Sequence, residues 1–280
     1  MTTDGMLAVH TVRRGDPSAL PLVLLHGFPL DHRMWHDVVD LLATDRTVLA
    51  LDLPGFGASP GGPDVAEAVG ADVAVPSLDV MADGVAATLR SVGAARAVVA
   101  GLSLGGYVAM ALVERHPELV AGLGLVSTKS TADQEQGRAK RLAIAETVLA
   151  EWRVDAVLGL RTSLLGATNR ISRPDLAERM EGWIRDQGPA AVAWAQRAMA
   201  ARPDRTAVLA GFLGPAVVVV GEEDEVAPVA DAEHMAQALH DASLVVVPRA
   251  GHMTTNESPE PVAAALPELL RRAQEGPAEA

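Results

Sequence analysis

One pentapeptide constrains this chain more than any other feature: Gly101-Leu102-Ser103-Leu104-Gly105. It lies between a β-branched run, Ala95–Leu102, and a helix-like run, Leu104–His116, that Pro117 stops. A serine at such a strand-to-helix junction sits on a turn tight enough to strain its backbone and lift its Oγ clear of the sheet. Gly101 and Gly105 omit side chains where strand and helix would collide. The amide of Leu104, at the helix start, then points toward any oxygen that the serine attacks.

The segments around this turn alternate in the manner of a parallel sheet with crossover helices. Leu20–His26, Thr47–Leu51, Ala95–Leu102 and Val120–Ser127 read as strands. Asp31 caps a helix running through Leu42, and Ser77 or Asp79 opens another that ends near Ser91. The Gly- and Pro-rich stretch Ser59–Pro76 reads as a surface loop. From Lys129 to Phe212 the alternation stops and the chain is helical throughout, with prolines near several helix starts. Pro215–Gly221 resumes the strands, Val229–His240 is a helix, Ser243–Pro248 is the last strand, and a final helix runs from Asn256 into a polar, frayed tail, Ala273–Ala280. The expected fold class is α/β, a doubly wound and mostly parallel sheet. Residues 1–128 and 213–280 form its core domain and 129–212 a helical cap, hinged near Lys129 and Gly211–Gly214. Loops at the carboxyl ends of such strands form the binding crevice, so the cap roofs it.

Whole-chain properties narrow the chemistry. A chain of 280 residues buries a sizeable core without staples, and it contains no cysteine. That removes disulfides, thiol catalysis and cysteine-ligated zinc, and suits a cytoplasmic location. The first residues, Met1–Gly5, carry an acid and no basic leader, and no apolar run is long enough to span a membrane. A net charge of −13 repels phosphate backbones, so nucleic acid is not an expected partner.

A serine hydroxyl needs a base. Of the eight histidines, His10 lies in a polar strand, and His32, His36, His116, His234 and His240 read as solvated. His26 packs at, or orients, the turn it precedes. His252 alone follows the last strand directly, where a loop hangs it over the crevice. The orienting acid belongs to Glu222-Glu223-Asp224-Glu225, after the preceding strand, and composition does not choose among the four. The order Ser, acid, His is that of α/β-hydrolases. A second oxyanion amide is expected from the loop His26-Gly27-Phe28-Pro29, with Phe28 as donor beside Leu104.

Five ordered motifs together resemble α/β-hydrolase fold proteins, particularly small bacterial esterases, enol-lactonases and cofactor-free perhydrolases. They are His26–Pro29, Asp52-Leu53-Pro54-Gly55-Phe56-Gly57-Ala58-Ser59, Gly101–Gly106, Gly221–Asp224 with Pro228, and Gly251-His252 with Glu257 and Pro259. The resemblance places the cap after the sixth family strand. It selects Asp224 as the acid, three residues after Gly221 and four before Pro228, and leaves Asp52 a structural role. Haloalkane dehalogenases and epoxide hydrolases carry an aspartate where this chain has Ser103, and some C–C hydrolases carry a polar residue where it has Leu102.

The resemblance implies an ester or lactone hydrolase acting on a small to medium apolar molecule, a monomer or homodimer that needs no metal and no organic cofactor. Perhydrolysis, C–C cleavage or a non-hydrolytic biosynthetic step on the same triad is the alternative, with a ligand-binding receptor behind it. Phe28, Leu104, Trp152 and Met253 are the expected substrate-binding residues. Arg153, Arg161, Arg170 and Arg173 read as surface residues of the insertion.

Overall fold

Apolar runs uninterrupted by polar residues demand cover on both faces, and the fold supplies it. The computed structural model describes residues 6–275. Among them, β1 (Val9–Arg13), β2 (Leu22–Leu25), β3 (Val48–Leu51), β4 (Ala97–Leu102), β5 (Val120–Val126), β6 (Ala216–Gly221) and β7 (Ala242–Val247) form one sheet. Its order is β1-β3-β2-β4-β5-β6-β7. Only the β1–β3 pair is antiparallel. Strands β2 to β6 are buried along their whole lengths, whereas Leu244 and Val246 of the edge strand β7 reach solvent.

The helices follow local signals. Ser77 Oγ accepts the Asp79 amide at 3.0 Å and starts Leu78–Ser91. Asp31 accepts the Arg33 amide at 3.0 Å, but the chain first makes a 3-10 turn, His32–Trp35, before the α-helix His36–Leu41. The expected loop Ser59–Pro76 instead contains a helix, Gly62–Ala68. Pro63 fits a first helical turn, and the Asp64 carboxylate reaches back to the Gly61 amide at 3.0 Å, so a Gly- and Pro-rich start concealed a capped helix. The last helix, Pro259–Glu275, packs on β5 and β6 and takes in Ala273 to Glu275 of the expected frayed tail. The rest of that tail, and the Met1–Gly5 leader reading, lie outside the described residues. Among the described residues no helix is long and apolar enough to cross a membrane.

Between β5 and β6 the chain passes through Glu135–Glu151, Leu160–Ser163, Ala167–Ser172, Pro174–Arg185, Pro189–Ala200 and Thr206–Ala210. Charge ties the entry of this excursion to its exit. The buried Arg202 guanidinium meets Asp133 at 2.7 Å and lies 4.3 Å over the Tyr107 ring, while Arg141 reaches the other oxygen of Asp133 at 2.6 Å. The Arg205 amide donates to Ser130 O at 2.9 Å, and its side chain pairs with Asp79 and Glu114 of the core.

Burial raises the Asp133 carboxyl, but the two guanidiniums outweigh it and hold the pKa at about 2. An unfolded aspartate titrates near ~3.9. The pair therefore stabilises the fold above about pH 4 and loses that contribution as pH falls toward 2. Asp133→Asn leaves a buried guanidinium without a counter-charge and should cost about 3–5 kcal/mol in urea unfolding at neutral pH. The gap between wild type and variant should shrink between pH 4 and pH 2; a gap independent of pH would remove Asp133 from this role.

Candidate active site

Ser103 joins β4 to the helix Leu104–Arg115 with φ +52° and ψ −109°, a conformation that costs a non-glycine residue roughly 1–3 kcal/mol. Its neighbours enforce it. The Ser103 amide donates to Val126 O at 2.9 Å, and the Ser103 carbonyl accepts from Thr128 Oγ1 at 2.9 Å and from the Tyr107 amide at 3.1 Å. Any Cβ on Gly105 would overlap the Leu25 carbonyl, so the helix lies directly against the end of β2. Ser103 itself remains half-buried.

Parallel strands bring the other two residues to the same edge. Asp224 follows β6 and His252 follows β7. The His252 ring donates from Nδ1 to Asp224, 2.8 Å from Oδ2 and 3.0 Å from Oδ1. A carboxylate only accepts, so the proton is on Nδ1 and the Nε2 lone pair is left to act as a base. Both residues are buried. Burial raises the Asp224 carboxyl, yet the facing imidazole and the Ala227 and Val226 amides more than offset it and keep the group below the usual carboxylate range. Among the described residues no hydrogen bond joins Ser103 Oγ to His252; such bonds often tighten only when substrate is bound.

The three glutamates of the acid cluster have other partners. Glu222 accepts from the Arg249 amide, Glu223 from the Thr168 amide and hydroxyl, and Glu225 pairs with Arg170. Asp224 alone meets the imidazole.

Glu257, quoted in sequence only as part of a motif, has a larger part than that signal suggested. Its Oε1 accepts the amides on either side of His252, Gly251 at 3.0 Å and Met253 at 3.1 Å. Its Oε2 accepts the Gly166 amide at 2.9 Å and Asn169 Nδ2 at 2.8 Å. The His252 amide also donates to Leu164 O at 2.9 Å, so the histidine loop is sewn to the 164–169 segment of the helical excursion. The approach is so close that a Cβ on Gly251 would overlap the Gly166 backbone.

Phe28 and Leu104 are both buried, and among the described residues neither backbone N–H has a protein acceptor. Buried amides are almost always paired, so two free ones beside the serine turn are available to a ligand oxygen. His26 orients the loop that carries Phe28. Its Nδ1 donates to Gly27 O at 2.9 Å and its Nε2 accepts the Leu53 amide at 2.8 Å, while burial pushes its pKa down and favours this neutral form.

Met253 is fully buried beside the histidine. Trp152 does not take its expected place in an apolar wall: it ends its helix in a left-handed conformation, 63% exposed. Its large apolar side chain gave no sign of which way the helix end turns. Leu164, Leu165, Met180, Trp194 and Met199 of the same excursion are buried. The four arginines pair with Asp155, Glu181, Glu225 and Asp175.

Glu257→Gln turns an amide group toward N–H donors and should cost about 1–3 kcal/mol. Hydrogen exchange at the Gly251, Met253 and Gly166 amides should accelerate together in this variant. Unchanged protection at all three would contradict the clamp.

A model of the alpha/beta hydrolase fold family matches residues 21–259. Over 237 residues the chain is 30% identical to a pimeloyl-[acyl-carrier protein] methyl ester esterase of Chromobacterium violaceum, covering 82% of this chain and 86% of the relative. Over 272 residues it is 32% identical to a 2-succinyl-6-hydroxy-2,4-cyclohexadiene-1-carboxylate synthase of Enterobacter sp. (strain 638), covering 92% and 95%. A thermophilic esterase from Thermogutta terrifontis, solved with malate bound, is similar in structure with a TM-score of 0.85 at 33% identity, over 96% of this chain and 94% of that one. The chain belongs to the alpha/beta hydrolase fold family.

Proposed function

We propose that this protein is a serine hydrolase that cleaves a carboxylic ester or lactone of a small to medium apolar molecule through an acyl-enzyme. The observation that carries the reading is the strained Ser103 at the end of β4, on the same sheet edge as the hydrogen-bonded Asp224–His252 pair. The esterase relatives support it from outside the chain.

In this mechanism His252 Nε2 takes the hydroxyl proton as Ser103 Oγ bonds to the carbonyl carbon. The amides of Phe28 and Leu104 receive the oxyanion, each worth roughly 3–4 kcal/mol in the transition state. Collapse of the intermediate breaks the C–O bond, and the imidazolium passes its proton to the departing alcohol oxygen. Water then repeats the sequence on the acyl-enzyme: His252 takes a water proton, hydroxide oxygen bonds to the acyl carbon, and Ser103 leaves with the proton returned. Asp224 holds the imidazole in the required tautomer and faces the positive charge that forms on it. In this reading the 129–212 cap covers the site, and the buried Met253 beside His252 supplies apolar surface next to the base.

A second reading keeps the same residues for a non-hydrolytic biosynthetic step, and the synthase among the relatives favours it. The experiment that separates them is turnover of p-nitrophenyl esters from acetate to decanoate, together with simple lactones. The proposal predicts a chain-length optimum and loss of turnover in Ser103→Ala. Asp224→Asn should lower kcat by about 10⁴-fold through the wrong tautomer, by analogy with the serine-protease triad. Full activity in Ser103→Ala overturns the proposal, and an intact protein inert toward every ester and lactone favours the second reading.

A further inference from the structure

The two edges of the sheet are finished differently. At one end, β1 breaks its register between Thr11 and Arg13. Its polar side chains fold onto the body of the protein: His10 Nε2 meets Asp52 Oδ2 at 2.8 Å, and the Arg13 guanidinium donates to Val39 O at 3.0 Å. An irregular register and polar side chains are the usual guards of an open edge. At the other end β7 has neither. Its sequence, Ala242-Ser243-Leu244-Val245-Val246-Val247, holds no charge and no proline, and it pairs with β6 in unbroken register from Ala242 to Val247.

The ladder shows which groups of β7 are left over. The carbonyls of Asp241 and Val247 accept from the Ala216 and Glu222 amides, so the odd-numbered residues turn their backbone groups toward β6. The N–H and C=O groups of Ala242, Leu244 and Val246 therefore point away from the sheet, and among the described residues they have no partner. Leu244 and Val246 lie on one face of the strand and are 38% and 42% exposed. Charges flank the strand. Asp241 precedes it, with its side chain 62% exposed even beside Arg272. Arg249 follows it, exposed, and among the described residues its guanidinium faces no acid within ion-pair distance.

We propose that β7 pairs antiparallel with β7 of a second copy of this chain, about a two-fold axis at Val245, so that two sheets become one across a homodimer. A two-fold contact requires a surface that complements itself. In this register Leu244 stands opposite Val246 of the second copy, the two exchange N–H···O bonds, and the axis repeats the exchange. The Ala242 amide reaches the carbonyl of Pro248 at the end of the ladder, where a missing N–H matters least. Asp241 falls opposite Arg249 on both sides of the axis. Moving the axis to Leu244 sets Asp241 against Val247 and loses that charge pairing. Moving it to Val246 sets Leu244 against Pro248 and loses a backbone bond. Leu244 and Val246 of the two copies then form one continuous apolar strip that leaves water on pairing, and such cross-strand contacts add to the backbone bonds.

The contact reaches toward the catalytic edge. Arg249 lies in the loop that carries His252, and its amide and carbonyl are already held by Glu222 at 3.2 Å and Asn169 at 2.9 Å. An ion pair from its guanidinium to the second copy adds a further anchor to that loop. The dimer does not depend on which reaction the protein performs.

The test is sedimentation velocity with light scattering on the full-length protein. The expected result is the mass of two chains at about 50 µM, a concentration that populates even a moderate homodimer. Val246→Pro removes an outward N–H and leaves every bond to β6 in place, and Leu244→Lys sets a charge in the apolar strip. Each should weaken association roughly tenfold or more, and Arg249→Glu, which sets acid against Asp241, should weaken it as well. Thr11→Lys, on the opposite edge, should leave it unchanged. A wild-type monomer at about 50 µM would overturn the proposal. So would a dimer indifferent to both Val246→Pro and Leu244→Lys, and a dimer indifferent to Arg249→Glu would overturn the register. Should Val246→Pro fail to fold, the wild-type mass and Leu244→Lys still decide the matter.

Discussion

A helix packed against the strands beside it, with no room for a side chain between them, forces Ser103 into a conformation it would not choose. The overlap a Cβ would make between Gly105 and the Leu25 carbonyl is the source of that constraint. Everything that faces the serine is placed relative to it. Because β2 and β4 are direct neighbours in the sheet, the turn after β2 brings Phe28 alongside, and because β6 and β7 run parallel to β4, their loops emerge at the same edge. The backbone strain at one residue is thus maintained by a sheet whose central strands are wholly buried, where small shifts are resisted by dense packing.

Two buried carboxylates divide the work around the histidine. Asp224 meets the ring and sets its tautomer; Glu257 meets only backbone amides and one side-chain amide, and sets where the loop lies. The separation has a physical sense. A carboxylate aimed at imidazole changes the charge balance of the base, whereas one saturated by four neutral N–H groups holds geometry without competing for the proton. It also means that the histidine loop is joined to the helices between β5 and β6 at this point, while the Asp133–Arg202 pair ties the beginning of the same helical stretch to its end.

Much of this was legible in the chain itself. The strands β2, β4, β5 and β6 are continuous apolar runs with turn residues at both ends, and Ser77, Pro174 and Pro189 start helices within a residue of where their chemistry places them. Composition left four acids open after β6; the resemblance to α/β-hydrolases selected Asp224, and Asp224 is the one that meets His252. What stayed hidden depends on distant partners. Glu257 gathers donors from four positions as far as 91 residues away, and His10 and His32 look like ordinary polar residues until β1 lies beside β3 and both rings meet Asp52. The helix Gly62–Ala68 was obscured by the glycines and proline that begin it, and Trp152 by the assumption that a large apolar residue turns inward.

The central claim is that Ser103 is a nucleophile activated by the pair at the neighbouring strand ends. Reaction with an alkyl fluorophosphonate, followed by intact mass and peptide mapping, tests it without knowledge of the substrate. The account predicts one adduct per chain, on Ser103, formed far more slowly when His252 is replaced by alanine. An unmodified Ser103, or labelling at the same rate without His252, would contradict it.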